Sequence, residues 1–332
     1  MMDRRTFVSS VAFGLCATLP AAFAQPAGKM YRIGLLSSAP MRTDAEFRQS
    51  AWFLAMRDLG WIEGRNVVFE RRASDGKAEL LPGLARDLVR ANVDVIATFS
   101  SPDTVAAKQA TSVIPIVMIF SGLDPVEEGL IASFARPGGN ITGVSRMLAE
   151  TDAKRLELIK EMLPAASRIG VLANARSDPD QQAKLERRMR AAARSLAVEL
   201  QFFPYKSQAD VDAAFPAMAG MRVQAFLLEP SFEIFRNRGR IAELALKHRL
   251  PGVFTLREYA LAGGLMAYGP DFPGLERQHA GYVDRILRGA NPGALPIEQP
   301  TKFELVLNLK TAKALGLPIP QAVLLRADEV IQ

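Results

Sequence analysis

Hydroxyls and carboxylates are the groups of this chain with the spacing to do chemistry, because thiols and imidazoles are almost missing. Cys16 is the one cysteine among 332 residues, and His248 and His279 are the two histidines. That leaves little material for a disulfide, a thiol nucleophile, a metal cluster or a histidine-based triad. The chain instead places short polar clusters directly after apolar runs. Ser37-Ser38 follows 31–36, Ser100-Ser101 follows 93–99, Ser121 to Asp124 follows 115–120, Asn174 follows 168–173 and Glu229 follows 225–228. Short apolar runs of this kind read as strands covered on both faces, which puts the polar groups at strand tips, where open α/β sheets bind small ligands. Hydroxyls and helix N-terminal amides suit a carboxylate or another polar acceptor, and Asp124 or Glu229 suits an ammonium or a sugar hydroxyl. The candidate ligand-binding set is Ser37, Ser38, Ser100, Ser101, Phe120, Asp124, Asn174, Glu229, Arg257 and Tyr268. No catalytic residue, metal ligand or cofactor is expected.

Each candidate has a plainer competing role. In residues 93–110, Ser101 can cap the following helix, Pro102 suits the first helical position and Asp103 complements the helix dipole from a solvent-facing position. Asp124-Pro125 is a common turn opener, and Phe120 or Tyr268, which could stack on a flat ligand, sit where aromatics usually join the core. Gly138-Gly139-Asn140 lacks the spacing of a phosphate-cradling loop and precedes a strand, so it reads as a turn. Trp52 and Trp61 read as packing residues, and His279 as a surface residue of an amphipathic helix.

The elements that must position these residues alternate regularly. Strands are expected at 31–36, 66–70, 93–99, 115–120 and 141–144, with helices at 43–59, 77–90 and from Ser101 onward. After the turn at 136–140 the alternation restarts, with helices at 151–163, 179–200, 208–218 and 232–248 and strands at 168–173, 200–203, 225–228 and 252–256. This pattern predicts an α/β chain of two doubly wound parallel-sheet lobes. A strand at 265–268, a helix at 272–287 and an extended stretch at 294–307 cannot bury a core alone, so they must complete the two lobes. The expected organisation is one lobe from 30–145 plus about 263–292 and a second from 146–262 plus about 293–327. The chain then crosses three times, near Ser145, Ala262 and Leu295, which makes a three-crossing hinge.

Residues 1–24 read as a cleavable targeting segment. Arg4 and Arg5 supply the charge, 8–19 the apolar stretch, and Ala22-Phe23-Ala24 the cleavage site before Gln25. The apolar stretch is shorter than the roughly 20 residues of a bilayer span. Residues 3–8, DRRTFV, resemble a twin-arginine signal, and an ordinary secretory signal fits the same features. Leu15 before Cys16 is larger than a lipoprotein signal expects, so a free periplasmic protein is expected. The formal charge of +6 is spread along the chain, and the basic stretch at 184–194 alternates with apolar residues as a solvated helix face does. No nucleic-acid partner is therefore expected.

Several of these segments occur in a recognisable order. The first strand, RDLGWIEGRN at 57–66, Asp124-Pro125, RPGGNITG at 136–143 and Tyr268-Gly269-Pro270-Asp271 together resemble the ABC transporter substrate-binding proteins of the tryptophan/tyrosine-type family, over about residues 30–327. The resemblance implies a type I periplasmic-binding-protein fold, a ligand caught between the lobes and an inner-membrane ABC permease as partner; the protein itself is expected to be a monomer. At 174–179 (NARSDP) and 228–232 (LEPSF) the chain departs from the family's usual loops, both at positions where ligand is read. The expected ligand is accordingly an amino acid or a small carboxylate-like molecule. One alternative is an exported enzyme that uses Asp124 and Glu229 as paired carboxylates. Another is a sensor lobe pair of the repressor type, which needs a basic helix-turn-helix where this chain has its export signal.

Overall fold

The computed structural model describes residues 29–121, 124–146, 148–175, 179–229 and 231–332. The targeting segment at 1–24 and the loop residues 176–178 lie outside them. The five strands of the first sheet are β1 (Tyr31–Ser37), β2 (Val67–Ala73), β3 (Val95–Thr98), β4 (Ile116–Phe120) and β5 (Ile141–Ser145), all parallel in the order β2-β1-β3-β4-β5. The second sheet has β6 (Arg168–Asn174), β7 (Glu199–Tyr205), β8 (Ala225–Leu228), β9 (Gly252–Phe254), β10 (Met266–Pro270), β11 (Phe303–Asn308) and β12 (Glu329–Ile331). Its order is β12-β11-β10-β9-β8-β6-β7, parallel except between β10 and β11.

Each sheet buries both faces, as its continuous apolar strands require. In the first lobe Ile33, Leu35, Val95, Ala97, Val117 and Ile119 face one apolar layer, and Leu36, Ile96, Ile116, Met118 and Phe120 face the other. The alternation follows the two-residue period of a strand. The second sheet divides likewise, with Val171, Leu227 and Val253 on one side and Leu172, Phe226 and Phe254 on the other.

The middle crossing differs from the sequence expectation. The strand expected to return to the first lobe is β10, and it pairs with β9 and β11 in the second sheet. The chain leaves that sheet only after Pro270, and the helix Phe272–Leu287 then packs Leu275, Tyr282, Val283 and Ile286 onto the first lobe. The crossing therefore lies at Asp271 and not near Ala262. The three crossings run side by side. Val144 bridges to Glu298, the Ser145 amide donates to the Glu298 carbonyl at 2.9 Å, and the Asp271 amide donates to the Lys302 carbonyl at 3.2 Å. Close backbone approach is built in here, since a Cβ on Gly269 would lie 2.0 Å from the Thr255 carbonyl oxygen.

His279, expected at the surface, is fully buried. Trp52 Nε1 donates to its Nδ1 at 2.8 Å, and its Nε2 lies 2.9 Å from the Val117 carbonyl of β4, where a proton on Nε2 is the donor. Both ring nitrogens are thus satisfied in the neutral form, and burial pulls its pKa down to about 4. Trp61, by contrast, follows the expectation of a packing residue at the helix exit, and its Nε1 donates to Asp284 at 2.9 Å. The predicted helix at 43–59 is two helices, Asp44–Arg48 and Ala51–Asp58, because Ser50 caps the second by accepting from the Phe53 amide while its hydroxyl donates to the Phe47 carbonyl.

Candidate ligand site between the lobes

Three strand tips of the first lobe form one hydroxyl cluster. Ser38, after β1, lies 3.1 Å from Ser100, hydroxyl to hydroxyl. Ser100, not Ser101, is the cap of the helix Ser101–Ala110. Its extended backbone lets the hydroxyl accept from the Asp103 amide, while the Thr104 hydroxyl donates to the Ser100 carbonyl at 2.9 Å. Ser101 instead reaches sideways to the tip of β4. Its hydroxyl accepts from the Ser121 amide at 3.1 Å, and the Ser121 hydroxyl accepts from the Ser101 amide at 3.3 Å. Ser37 accepts from the Ala39 amide.

Asp103 stands in the middle of this cluster, against the expectation of a solvent-facing role. It is completely buried, with Oδ2 accepting from the Phe99 amide at 3.3 Å and Oδ1 without a partner among the described residues. Burial pushes its carboxyl pKa up to about 7, and hydrogen bonds from Ser100, Ser38 and Phe99 only partly oppose that rise. The first turn of the helix folds it inward because Pro102 occupies the outer position and the Ser38 and Phe99 amides need an acceptor.

The second lobe answers with charged groups at the tips of β8 and β9. Arg155 is 1% exposed, and its Nη1 donates to the Leu228 carbonyl at 2.9 Å and to the Thr255 hydroxyl at 2.7 Å. Its Nη2 pairs with Asp152 three residues earlier on the same helix. Glu229 follows β8, its amide donating to the Leu172 carbonyl at 2.9 Å and its own carbonyl accepting from the Tyr205 hydroxyl at 2.6 Å. Asn174 ends β6 with its side chain exposed.

Arg146, at the first crossing, joins the two halves. Its amide donates to the Phe120 carbonyl at 2.9 Å, so its backbone belongs to the tip of β4 in the first lobe. Its guanidinium lies over the Phe272 ring, 5.4 Å from the centroid, and feels both Arg155 and Glu229 of the second lobe. Burial first, and Arg155 second, pull its pKa down to about 10 while Glu229 pulls it back, so it is charged at neutral pH. Its Nε and Nη2 are shielded from solvent and have no hydrogen-bond partner among the described residues.

Four expected site residues are drawn elsewhere. The Phe120 ring is 1% exposed and packs in the core, leaving only its carbonyl at the tip. Asp124 closes its own turn, accepting from the Val126 amide at 2.7 Å and the Glu127 amide at 3.3 Å. Tyr268 stacks on Phe303 at 5.9 Å within the second lobe, and Arg257 pairs with Glu329, which stabilises its charged form. Each of these side chains is engaged by its own lobe, although Arg257 Nε has no partner among the described residues. Sequence reasoning passed over Arg146 and Arg155, and left Ser121, named at its strand tip, outside the candidate set. A signal existed for Arg155, since Asp152 three residues before it on a helix makes an ion pair.

A family model described as ABC transporter substrate binding protein matches residues 49–331. The chain belongs to this family. A Tyrosine-binding protein from Clostridioides difficile is 26% identical over 263 residues, covering 79% of this chain and 74% of that protein. Among solved structures, a conserved domain protein from Vibrio cholerae matches with a TM-score of 0.80 and 27% identity, over 91% of this chain and all of that one. An ABC domain in complex with L-Trp from Streptococcus pneumonia shares the fold at a TM-score of 0.79 and 22% identity, again over 91% and 100% of the two chains. As an ABC transporter substrate-binding protein, the molecule has the two-lobed type I periplasmic-binding architecture, and its role is solute binding. Among the described residues no helix is long and apolar enough to cross a membrane, and no group of three His, Cys, Asp or Glu could hold a metal ion.

Proposed function

We propose that this protein works outside the cytoplasmic membrane as a monomer, closes its two lobes on an amino acid or small carboxylate, and hands it to an ABC permease of the inner membrane. The observation that carries the reading is the meeting of both sets of strand tips at the crossings, where Arg146 is bonded to Phe120 of one lobe and lies in the field of Glu229 and Arg155 of the other. Three parallel crossings let such lobes rotate without either unfolding. Ser37, Ser38, Ser100, Ser101 and Ser121 offer hydroxyls from the first lobe, and Asn174 and Glu229 offer polar groups from the second. Residues 1–24 act as the export signal.

Binding without turnover is the role favoured for the cleft. The paired-carboxylate enzyme reading loses support because Asp124 is committed to the amides of its own turn. The tyrosine-binding and L-Trp-bound relatives make aromatic amino acids the first compounds to screen. Native mass spectrometry of the mature protein, followed by a thermal-shift screen of amino acids and aromatic acids, tests the proposal. A bound, unmodified small molecule that raises Tm with the logarithm of its concentration is expected. Conversion of that molecule to product would overturn it.

A further inference from the structure

We propose that Arg146 is the anion receptor of the cleft, and that it selects solutes by a carboxylate docked side-on against its Nε and Nη2. This inference rests on the solute-capture reading and names the group through which the cleft reads its ligand. Nε and Nη2 form one edge of the planar guanidinium, and that edge presents two parallel N–H donors at the spacing of the two oxygens of a carboxylate. In Arg146 those two nitrogens are shielded from solvent and have no partner among the described residues, whereas Arg155 next to it spends Nη1 and Nη2 on Leu228, Thr255 and Asp152 and leaves only Nε without one. A buried charged donor without an acceptor is costly, and a ligand that supplies the acceptor recovers that cost on binding.

The surroundings narrow the ligand further. Phe272 holds an aromatic face beside the guanidinium, so an apolar or aromatic body attached to the carboxylate finds a contact there. Arg155 adds positive potential, although Asp152 offsets most of it. Glu229 disfavours a second anionic group near the first, so a monocarboxylate fits better than a dicarboxylate. The position on the first crossing matters as well. A carboxylate held by Arg146 touches the segment that links the lobes, and so binding and lobe closure are coupled at one residue.

Matched acids and primary amides test this directly by isothermal titration of the mature protein: phenylacetate with phenylacetamide, indole-3-acetate with its amide, L-tyrosine and L-tryptophan with theirs. At least one acid is expected to bind, with its amide and the Arg146→Gln variant each losing about 100-fold in affinity, as removal of one partner of a buried charge pair does. Arg146→Lys is expected to recover only part of that loss, because a point charge replaces the two-donor fork. The free Arg146→Gln protein is expected to unfold at the wild-type Tm or above, which a purely structural arginine would not allow. Acid and amide that bind alike, an Arg146→Gln protein that keeps the acid within about threefold, or a panel in which no acid binds overturns the proposal. The solute-capture reading fails separately, if native mass spectrometry finds no small molecule of any kind retained by the wild-type protein.

Discussion

Two arginines nine residues apart in sequence share the floor between the lobes and are treated in opposite ways. Arg155 is held by acceptors from two strand tips and from its own helix, which engage both Nη1 and Nη2 inside the second lobe and leave only Nε without a partner among the described residues. Arg146 has an aromatic ring on one side, a like charge on another and an unpartnered donor edge. A buried ion that is satisfied by the fold holds the fold together, and one left short of acceptors is held ready for something else. The same contrast appears in the first lobe, where Ser38 and Ser100 pair through their hydroxyls and the hydroxyls of Ser101 and Ser121 each accept from the other's amide, while Asp103 Oδ1 has no partner among the described residues.

The largest effect expected from this contrast is at Arg155. Arg155→Ala leaves the Leu228 carbonyl and the Thr255 hydroxyl without their donor and removes a partner of Asp152, and should cost about 3 kcal/mol or more in urea unfolding. A loss below about 1 kcal/mol would erase the distinction between the two arginines.

Asp103 comes next, and its effect depends on pH. Its pKa is raised from 3.8 to about 7 in the folded chain, so the native state holds a proton that the unfolded state has released. Its contribution is therefore undiminished below about pH 4 and is lost as pH rises through about 7. Asp103→Asn cannot ionise, and its amide can donate where Oδ1 lacked a partner. It should match wild type near pH 4 and exceed it by a margin that grows as pH rises and is nearly complete by pH 8. His279, whose pKa is lowered, acts in the opposite direction, with stability lost as pH falls through about 4. It is common to both proteins and cancels in their difference. A difference independent of pH would show that Asp103 ionises in the folded chain as it does in the unfolded one.

The smallest effect is at Arg146 itself. Arg146→Gln should equal wild type or exceed it by up to about 1 kcal/mol in the free protein, since Nε and Nη2 have no hydrogen bond to lose among the described residues.

How much of this could be read from the sequence follows the range of the forces involved. The strand tips at Ser38, Ser100 and Glu229 were legible because the change from apolar run to polar cluster is local. The sheet that β10 joins was not, since a short apolar run carries no record of its neighbours. His279 looked exposed because its burial depends on Trp52 and β4 arriving from more than 150 residues away. Asp103 was seen and placed on the wrong side of its helix turn, and Arg146 was missed because the residue after a strand has no pattern of its own. Asp124 and Tyr268 were over-read, since an adjacent turn and a neighbouring strand had already engaged them.

The central claim is that the lobes close on a carboxylate held at Arg146. Small-angle X-ray scattering of the wild-type and Arg146→Gln proteins, each alone and with the acid or amide of a matched pair at the concentration that just saturates the wild type with the acid, tests it most directly. The wild-type radius of gyration should fall with the acid and not with the amide, and the variant should respond to neither. An unchanged radius with the acid at saturation, or an equal decrease in the variant, would contradict it.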